Sequence, residues 1–302
     1  MFLVHKKIIL MIIVKLQGGL GNQMFQYSLG RHLSIRNKTN LKFDISSLGL
    51  KDPSNTKRNY SLSVFKVEES FATDKEIGWF KKYKFKKGKL WFWYNRTIAS
   101  RKKYLWEENI NFENQILFMN NPIYIDGWWQ KESYFKEISE IIKKDFTLKK
   151  ELSEYSKKIE REIKNSNSVS IHVRRGDYVS DKKTNEWIGV CSPEYYESAI
   201  NEIKKKISNP HFFIFSDDQG WAKLNIKTGS PTIYVSENSN RPEEDMYLMS
   251  LCKNNIIANS SFSWWGAWLN KNNNKIVIAP KRWFKAEKMS KFGIIPDSWI
   301  KI

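Results

Sequence analysis

The sequence is poor in the groups that staple a fold or load it with metal. Two cysteines, Cys191 and Cys252, and four histidines in 302 residues supply neither a disulfide framework nor a CxxC-type zinc site, and point to a reduced compartment. Long apolar runs are also missing. Ile8 to Val14 follows His5, Lys6 and Lys7 but ends in Lys15 and Gln17-Gly18-Gly19. It has no small-residue cleavage site and is far short of the roughly 20 residues that span a bilayer, so it reads as a buried strand from Ile8 to Leu16. No two aspartates stand as D-x-D, the pattern by which carboxylates hold a divalent cation on a diphosphate. Any diphosphate chemistry is therefore expected to need no metal and to rely on arginine and a helix N-terminus. RNP, KH, zinc-finger and helix-turn-helix patterns are absent as well, and no repeat period appears.

What is there in excess is positive charge. Lys and Arg number 51 against 32 Asp and Glu, a net +19, in a chain that is 41% hydrophobic and 15% aromatic. That composition folds with a sizeable core, and the length suggests two domains at about 150 residues each. The charge invites nucleic acid, an anionic membrane surface or a phosphorylated substrate. Nucleic acid is disfavoured, because the basic residues are mostly lysines interleaved with glutamate, as in Lys149 to Lys158.

The C-terminal half repeats one arrangement, a short apolar run followed by a helical pattern: Val169 to Val173, Phe212 to Phe215, Thr232 to Val235, Asn255 to Ala258 and Lys275 to Ala279. Nearly continuous apolar strands predict an α/β fold on a parallel sheet. The N-terminal half begins likewise, with a strand, a Gly-rich turn, a helix over about 22–36 and a strand around Leu41 to Phe43. Residues 51–121, rich in Trp, Tyr and Lys without a clean period, read as an insertion with short helices. After the strand Ile123 to Ile125 comes a helix carrying Tyr134, Phe135, Ile138, Ile141 and Ile142 on one face, then a second over Leu148 to Lys164. The polar turn Asn165 to Ser168 predicts a division into domains 1–165 and 166–302.

Three segments carry the chemistry. In Ile171-His172-Val173-Arg174-Arg175-Gly176-Asp177-Tyr178 a strand runs directly into two arginines, at the strand end where open parallel sheets bind ligands. A guanidinium fork suits an anion there, while an ion pair with Asp177 is the structural alternative, and both can hold. In Asn259-Ser260-Ser261-Phe262-Ser263-Trp264-Trp265 hydroxyls open a helix, which makes either an anion site or a plain serine cap. In Phe215-Ser216-Asp217-Asp218 a carboxylate could accept two hydrogen bonds from guanine, or cap the next helix. Trp128, Trp129 and Tyr134 are candidates for stacking on a sugar face or for core packing.

His172 to Tyr178, Gln17 to Leu33 (QGGLGNQMFQYSLGRHL), Ile125 to Phe135 (IDGWWQKESYF) and Ala258 to Leu269 (ANSSFSWWGAWL) together resemble the α-1,2-fucosyltransferases of bacterial type, which fall in glycosyltransferase family 11 and in a wider group with the α-1,6- and protein O-fucosyltransferases. The resemblance implies a GT-B type fold, two Rossmann-like domains facing across a cleft, the C-terminal one binding GDP-fucose. It also implies an inverting, metal-independent transfer from GDP-β-L-fucose to the 2-hydroxyl of a galactose-containing oligosaccharide or lipid-linked glycan. By motif match, Arg174 is similar to the residue that stabilises departing GDP. His172 and Arg175 are similar to donor-binding residues, Asp218 to the guanine reader, Ser260 and Ser261 to diphosphate contacts, and Gly21 and Asn22 to a loop over the sugar. Phe262 stands where some relatives have a polar residue. Asp177 is a candidate for the base an inverting displacement needs, beside Asp181, Glu186, Asp126 and Glu132. Trp128, Gln130 and Glu132 are candidates for the acceptor. A different acceptor, peptide or N-glycan core, is the alternative within the enzyme class. The resemblance further implies a bacterial cytoplasmic enzyme, and the surplus lysines fit a peripheral contact with an anionic inner membrane face.

Overall fold

The computed structural model describes residues 10–50, 57–81, 103–107, 116–120, 122–236, 238, 240–286 and 293–302. The strand start at Ile8 and about half of the 51–121 insertion lie outside them. The chain forms two compact units divided between Thr147 and Leu148.

The first unit contains β1 (Met11–Lys15), α1 (Leu20–Arg36), β2 (Asn40–Asp44), α2 (Asp74–Lys81), β3 (Lys103–Trp106), β4 (Ile123–Asp126) and α3 (Ser139–Asp145). Its sheet has the order β2-β1-β4-β3 with every pair parallel. Ile12, Ile13, Val14, Ile123, Tyr124 and Ile125 are all buried, as expected for strands covered on both faces. Strand β3 belongs to the region read as a helical insertion; at four residues it is too short to show a period. The helix expected from Tyr134 onward is broken into two 3-10 turns before α3, because Phe135 at φ −144° sits between them with its ring in the core against Phe25.

The second unit contains α4 (Glu154–Lys164), β5 (Asn167–Val173), α5 (Gly176–Ser180), α6 (Lys182–Trp187), α7 (Pro193–Lys206), β6 (Pro210–Ser216), α8 (Gln219–Asn225), β7 (Thr232–Val235), α9 (Pro242–Leu251), β8 (Asn254–Ile256), α10 (Ser261–Trp268), β9 (Val277–Ala279) and β10 (Ile300–Lys301). The parallel sheet has the order β10-β9-β8-β5-β6-β7. Tyr196, Ala199, Ile200 and Ile203 of α7 pack with Val169, Ile171 and Val173 of β5 in one core.

The unit boundary precedes the 165/166 division because α4 is tied to α9. Ser153 caps α4, and the fully buried Glu244 accepts from Ser153 N at 2.8 Å, Ser153 Oγ at 2.7 Å and Ser156 Oγ at 2.7 Å and pairs with Arg241 at 2.6 Å. The next residue, Asp245, accepts from Asn238 Nδ2 at 2.8 Å. Burial, reinforced by Glu244 and Glu243, pushes its carboxyl up to about 7. Between its unfolded value near 4 and 7 the folded state binds the extra proton, so this group lowers stability as pH rises through that window. Asp245→Asn keeps the acceptor for Asn238 and removes the titration. The variant is expected to gain stability relative to wild type at pH 8 over pH 5, measured as urea midpoints, and an equal difference at both pH values would refute this.

Candidate active site

The strand order of the second unit positions the site. The chain winds from β5 through β6 and β7 on one side, then returns to β8 beside β5 and continues outward through β9 and β10. Ligands in such sheets bind outside the carboxyl ends of the strands where the winding reverses, here β5 and β8. Arg174 follows β5 and Asn259 to Ser261 follow β8, while Ser216 to Asp218 close the adjoining β6. The three segments singled out by their residue types thus share one sheet edge.

After β5 the two arginines enter an acidic frame. Arg174 Nη2 donates to Asp177 Oδ1 at 2.5 Å and Nη1 pairs with Asp217 Oδ2 at 2.8 Å. Burial works against its charge, but Asp217 and Asp177 outweigh that and hold the guanidinium above the usual arginine value. Arg175 donates its backbone N–H to Asp217 Oδ1 at 2.8 Å and its Nε to Asp218 Oδ2 at 3.0 Å, and its guanidinium lies 4.2 Å from the centre of the Trp221 ring. Gly176 follows them and lets Asp217 approach, since a Cβ there would lie 2.5 Å from Asp217 Oδ2.

Asp218 also accepts from Trp221 N at 3.0 Å and so caps α8; this hydrogen bond, then Arg175, holds its carboxyl below the ordinary aspartate value. Both of its oxygens are engaged, Oδ1 in the helix cap and Oδ2 by Arg175. Asp217, which composition did not distinguish from its neighbour, is the residue that locks both arginines. The adjacent acidic pair was the available signal.

His172 is buried one residue inside the end of β5, and Nδ1 has no hydrogen-bond partner. Burial, then Arg174, pushes its pKa down to about 3, so the imidazole is neutral. Its ring centre is 5.6 Å from that of Phe262, in the first turn of α10. Ser260 caps α10 by accepting from Phe262 N at 3.3 Å, and half-buried Ser261 is its first residue. Asn259 is structural: its Nδ2 donates to the carbonyls of Ile188, Gly189 and Trp283 at 3.1, 3.1 and 3.2 Å. The edge therefore offers a fixed guanidinium, a neutral imidazole and a helix N-terminus, a combination suited to an anion. Among the described residues no group of three or more His, Cys, Asp or Glu side chains is placed to hold a metal ion, and no helix is long and apolar enough to cross a membrane.

In the first unit β1 and β4 are the adjacent central strands of the sheet. Gly21 and Asn22 lie in the first turn of α1, not beside the arginines' segments in sequence or unit. Two glutamine side chains fix the loop before them. Gln26 accepts from Gln17 N at 2.9 Å and donates to Gly127 O at 3.1 Å, while Gln23 donates to Gly18 O at 2.9 Å. Gln130 Nε2 donates to Asn22 Oδ1 at 2.7 Å. Trp128 is exposed and Trp129 buried, and Glu132 is half-buried at the start of a 3-10 turn.

The sequence profile of Glycosyl transferase family 11 matches residues 3–302. The chain belongs to glycosyltransferase family 11. It is 35% identical to an "Alpha-1,2-colitosyltransferase" of Escherichia coli over 96% of this chain and 98% of that one. It is also 35% identical to the "O-antigen biosynthesis glycosyltransferase WbnK" of Escherichia coli, over 95% of this chain and 99% of that one. The structure of a point mutant of Arabidopsis thaliana FUT1 in complex with GDP superposes with a TM-score of 0.52 at 11% identity, over 89% of this chain and 70% of that one. This family 11 enzyme is thus a glycosyltransferase of the α/β, GT-B type, built of two units on parallel sheets.

Proposed function

We propose that the enzyme transfers L-fucose from GDP-β-L-fucose to the 2-hydroxyl of a β-galactoside in an oligosaccharide or lipid-linked glycan, with inversion and without metal. The observation that carries this is Arg174, held between Asp177 and Asp217 at the carboxyl end of β5, beside the N-terminus of α10 and neutral His172. Arg174 and the first-turn amides of α10 stabilise the charge that develops on departing GDP, Ser260 and Ser261 line the phosphate side, and Arg175 and Asp218 lie on the base side. Asp177, whose Oδ1 accepts from Arg174 Nη2 at 2.5 Å, serves best as the orienting group of that guanidinium. Asp181 caps α6 through Thr184 N at 2.7 Å and Asp126 pairs with Lys15 at 3.2 Å, so neither is a ready base. A loose transition state dominated by leaving-group stabilisation needs little base assistance.

A second reading keeps every role and changes the sugar to colitose, favoured by the near full-length identity to the colitosyltransferase. Incubating the enzyme in EDTA with GDP-fucose or GDP-colitose and a panel of β-galactosides decides between them. An α-1,2-fucosylated product is expected. Faster turnover of GDP-colitose would replace the donor, and loss of activity restored by a divalent cation would reject metal independence.

A further inference from the structure

Trp128 is the exposed exception in a buried turn. It is 44% exposed, while Gly127 and Trp129 on either side are buried. A great deal of structure is committed to holding it there. Both carboxylate oxygens of Glu107 accept backbone N–H groups of the turn, Oε2 from Trp128 at 2.6 Å and Oε1 from Trp129 at 3.0 Å. Trp129 has a left-handed backbone at φ +55°, which is costly for a large side chain. Gly127 is required because a Cβ would lie 2.5 Å from Glu107 Cβ, and Gly18, itself at φ +73°, because a Cβ would lie 2.9 Å from the Trp128 ring. Strain of this kind persists where surrounding structure imposes it, and it clusters at binding sites.

The location agrees. The turn closes β4 and Gly18 follows β1, the two adjacent central strands of the first unit's parallel sheet, at the carboxyl ends outside which such sheets bind ligands. The side chains hydrogen-bonded around the turn are neutral amides, Gln130 joined to Asn22 and Gln17 joined to Gly127 O at 3.3 Å, with the Arg58 guanidinium farther along the loop beside Gly19. A flat apolar face ringed by amides suits a neutral polyol, whose C–H face stacks while its hydroxyls bond the amides. We infer that Glu107 is a positioning residue that presents the Trp128 indole as the stacking face for the acceptor sugar. The inference rests on the proposed function for the nature of that sugar, a β-galactoside.

The test is lactose binding to the full chain by saturation-transfer NMR, alongside transfer kinetics. Trp128→Ala and Glu107→Ala are each expected to weaken lactose binding tenfold or more and to raise acceptor KM in parallel, with kcat and donor KM within threefold. Trp128→Phe keeps a flat ring and should lose about threefold. Glu107→Gln falls between, because its amide offers one acceptor oxygen to two N–H groups. The thermal shift produced by GDP should be unchanged throughout. Lactose binding within twofold of wild type in Trp128→Ala or in folded Glu107→Gln overturns the inference, as does a wild type that does not bind lactose. A Glu107 needed only for folding would lower the melting temperature and kcat without the tenfold change in lactose binding. A wild type that binds lactose through Trp128 yet transfers neither fucose nor colitose overturns the proposed function alone.

Discussion

Arg174→Ala is expected to lower kcat by about a thousandfold, the upper range for losing one preorganised donor to a developing anion, while the protein still unfolds cooperatively. Arg174 is the guanidinium that directly follows β5, and its two terminal nitrogens are already aimed by Asp177 at 2.5 Å and Asp217 at 2.8 Å. Removing it leaves two carboxylates without their counterion, but their side chains are 15% and 27% exposed, so water relieves part of the repulsion and the melting temperature should fall only modestly. Arg174→Lys is the informative companion. A lysine keeps the charge but has one donor nitrogen in place of a rigid fork with two terminal nitrogens aimed by separate carboxylates, so it should recover only part of the rate. Initial-rate transfer assays and GDP thermal shifts check this, and alanine activity within threefold of wild type would remove Arg174 from the mechanism.

Asp217→Ala should cost roughly a hundredfold in kcat/KM, although Asp217 is given no contact with substrate. Its two oxygens serve the two arginines separately, Oδ2 on Arg174 Nη1 and Oδ1 on the Arg175 backbone N–H, each at 2.8 Å. Misplacing a catalytic group by about 1 Å costs that much. Asp217→Asn retains an oxygen for the Arg175 N–H and surrenders the charge facing Arg174, so a smaller loss is expected. If Asp217 acts through Arg174, the losses in Asp217→Ala and the Arg174→Ala, Asp217→Ala double variant must be far from additive. Additive losses would place Asp217 in an independent role.

Much of the fold was legible because it is written locally. The strands β5 and β6 are uninterrupted apolar runs, and a run buried on both faces needs no partner to be recognised. Strand β3 was not legible: four residues, with Tyr104 and Trp106 on one side and the partner strand twenty positions away at Ile123–Asp126, show no period. The unit boundary differs from the expected 165/166 division for a related reason. Asn165 to Ser168 has a linker's composition, whereas the ties that assign α4 to the second unit run from Ser153 and Ser156 to Glu244, 91 and 88 residues on.

At the candidate site, the chemical groups present are legible residue by residue: a guanidinium pair after a strand, hydroxyls opening a helix, an acidic pair after another strand, and no D-x-D. These follow from residue type and immediate neighbours. How the groups are used depends on contacts between distant parts of the chain. Asp217 and Asp218 are adjacent in sequence, yet one clamps both arginines across 42 residues or more and the other caps α8 while holding Arg175. Glu107 reaches 21 residues to the turn that displays Trp128. Such pairings arise where parallel strands bring distant carboxyl ends to one sheet edge, and strand order is a property of the whole chain that no local pattern encodes.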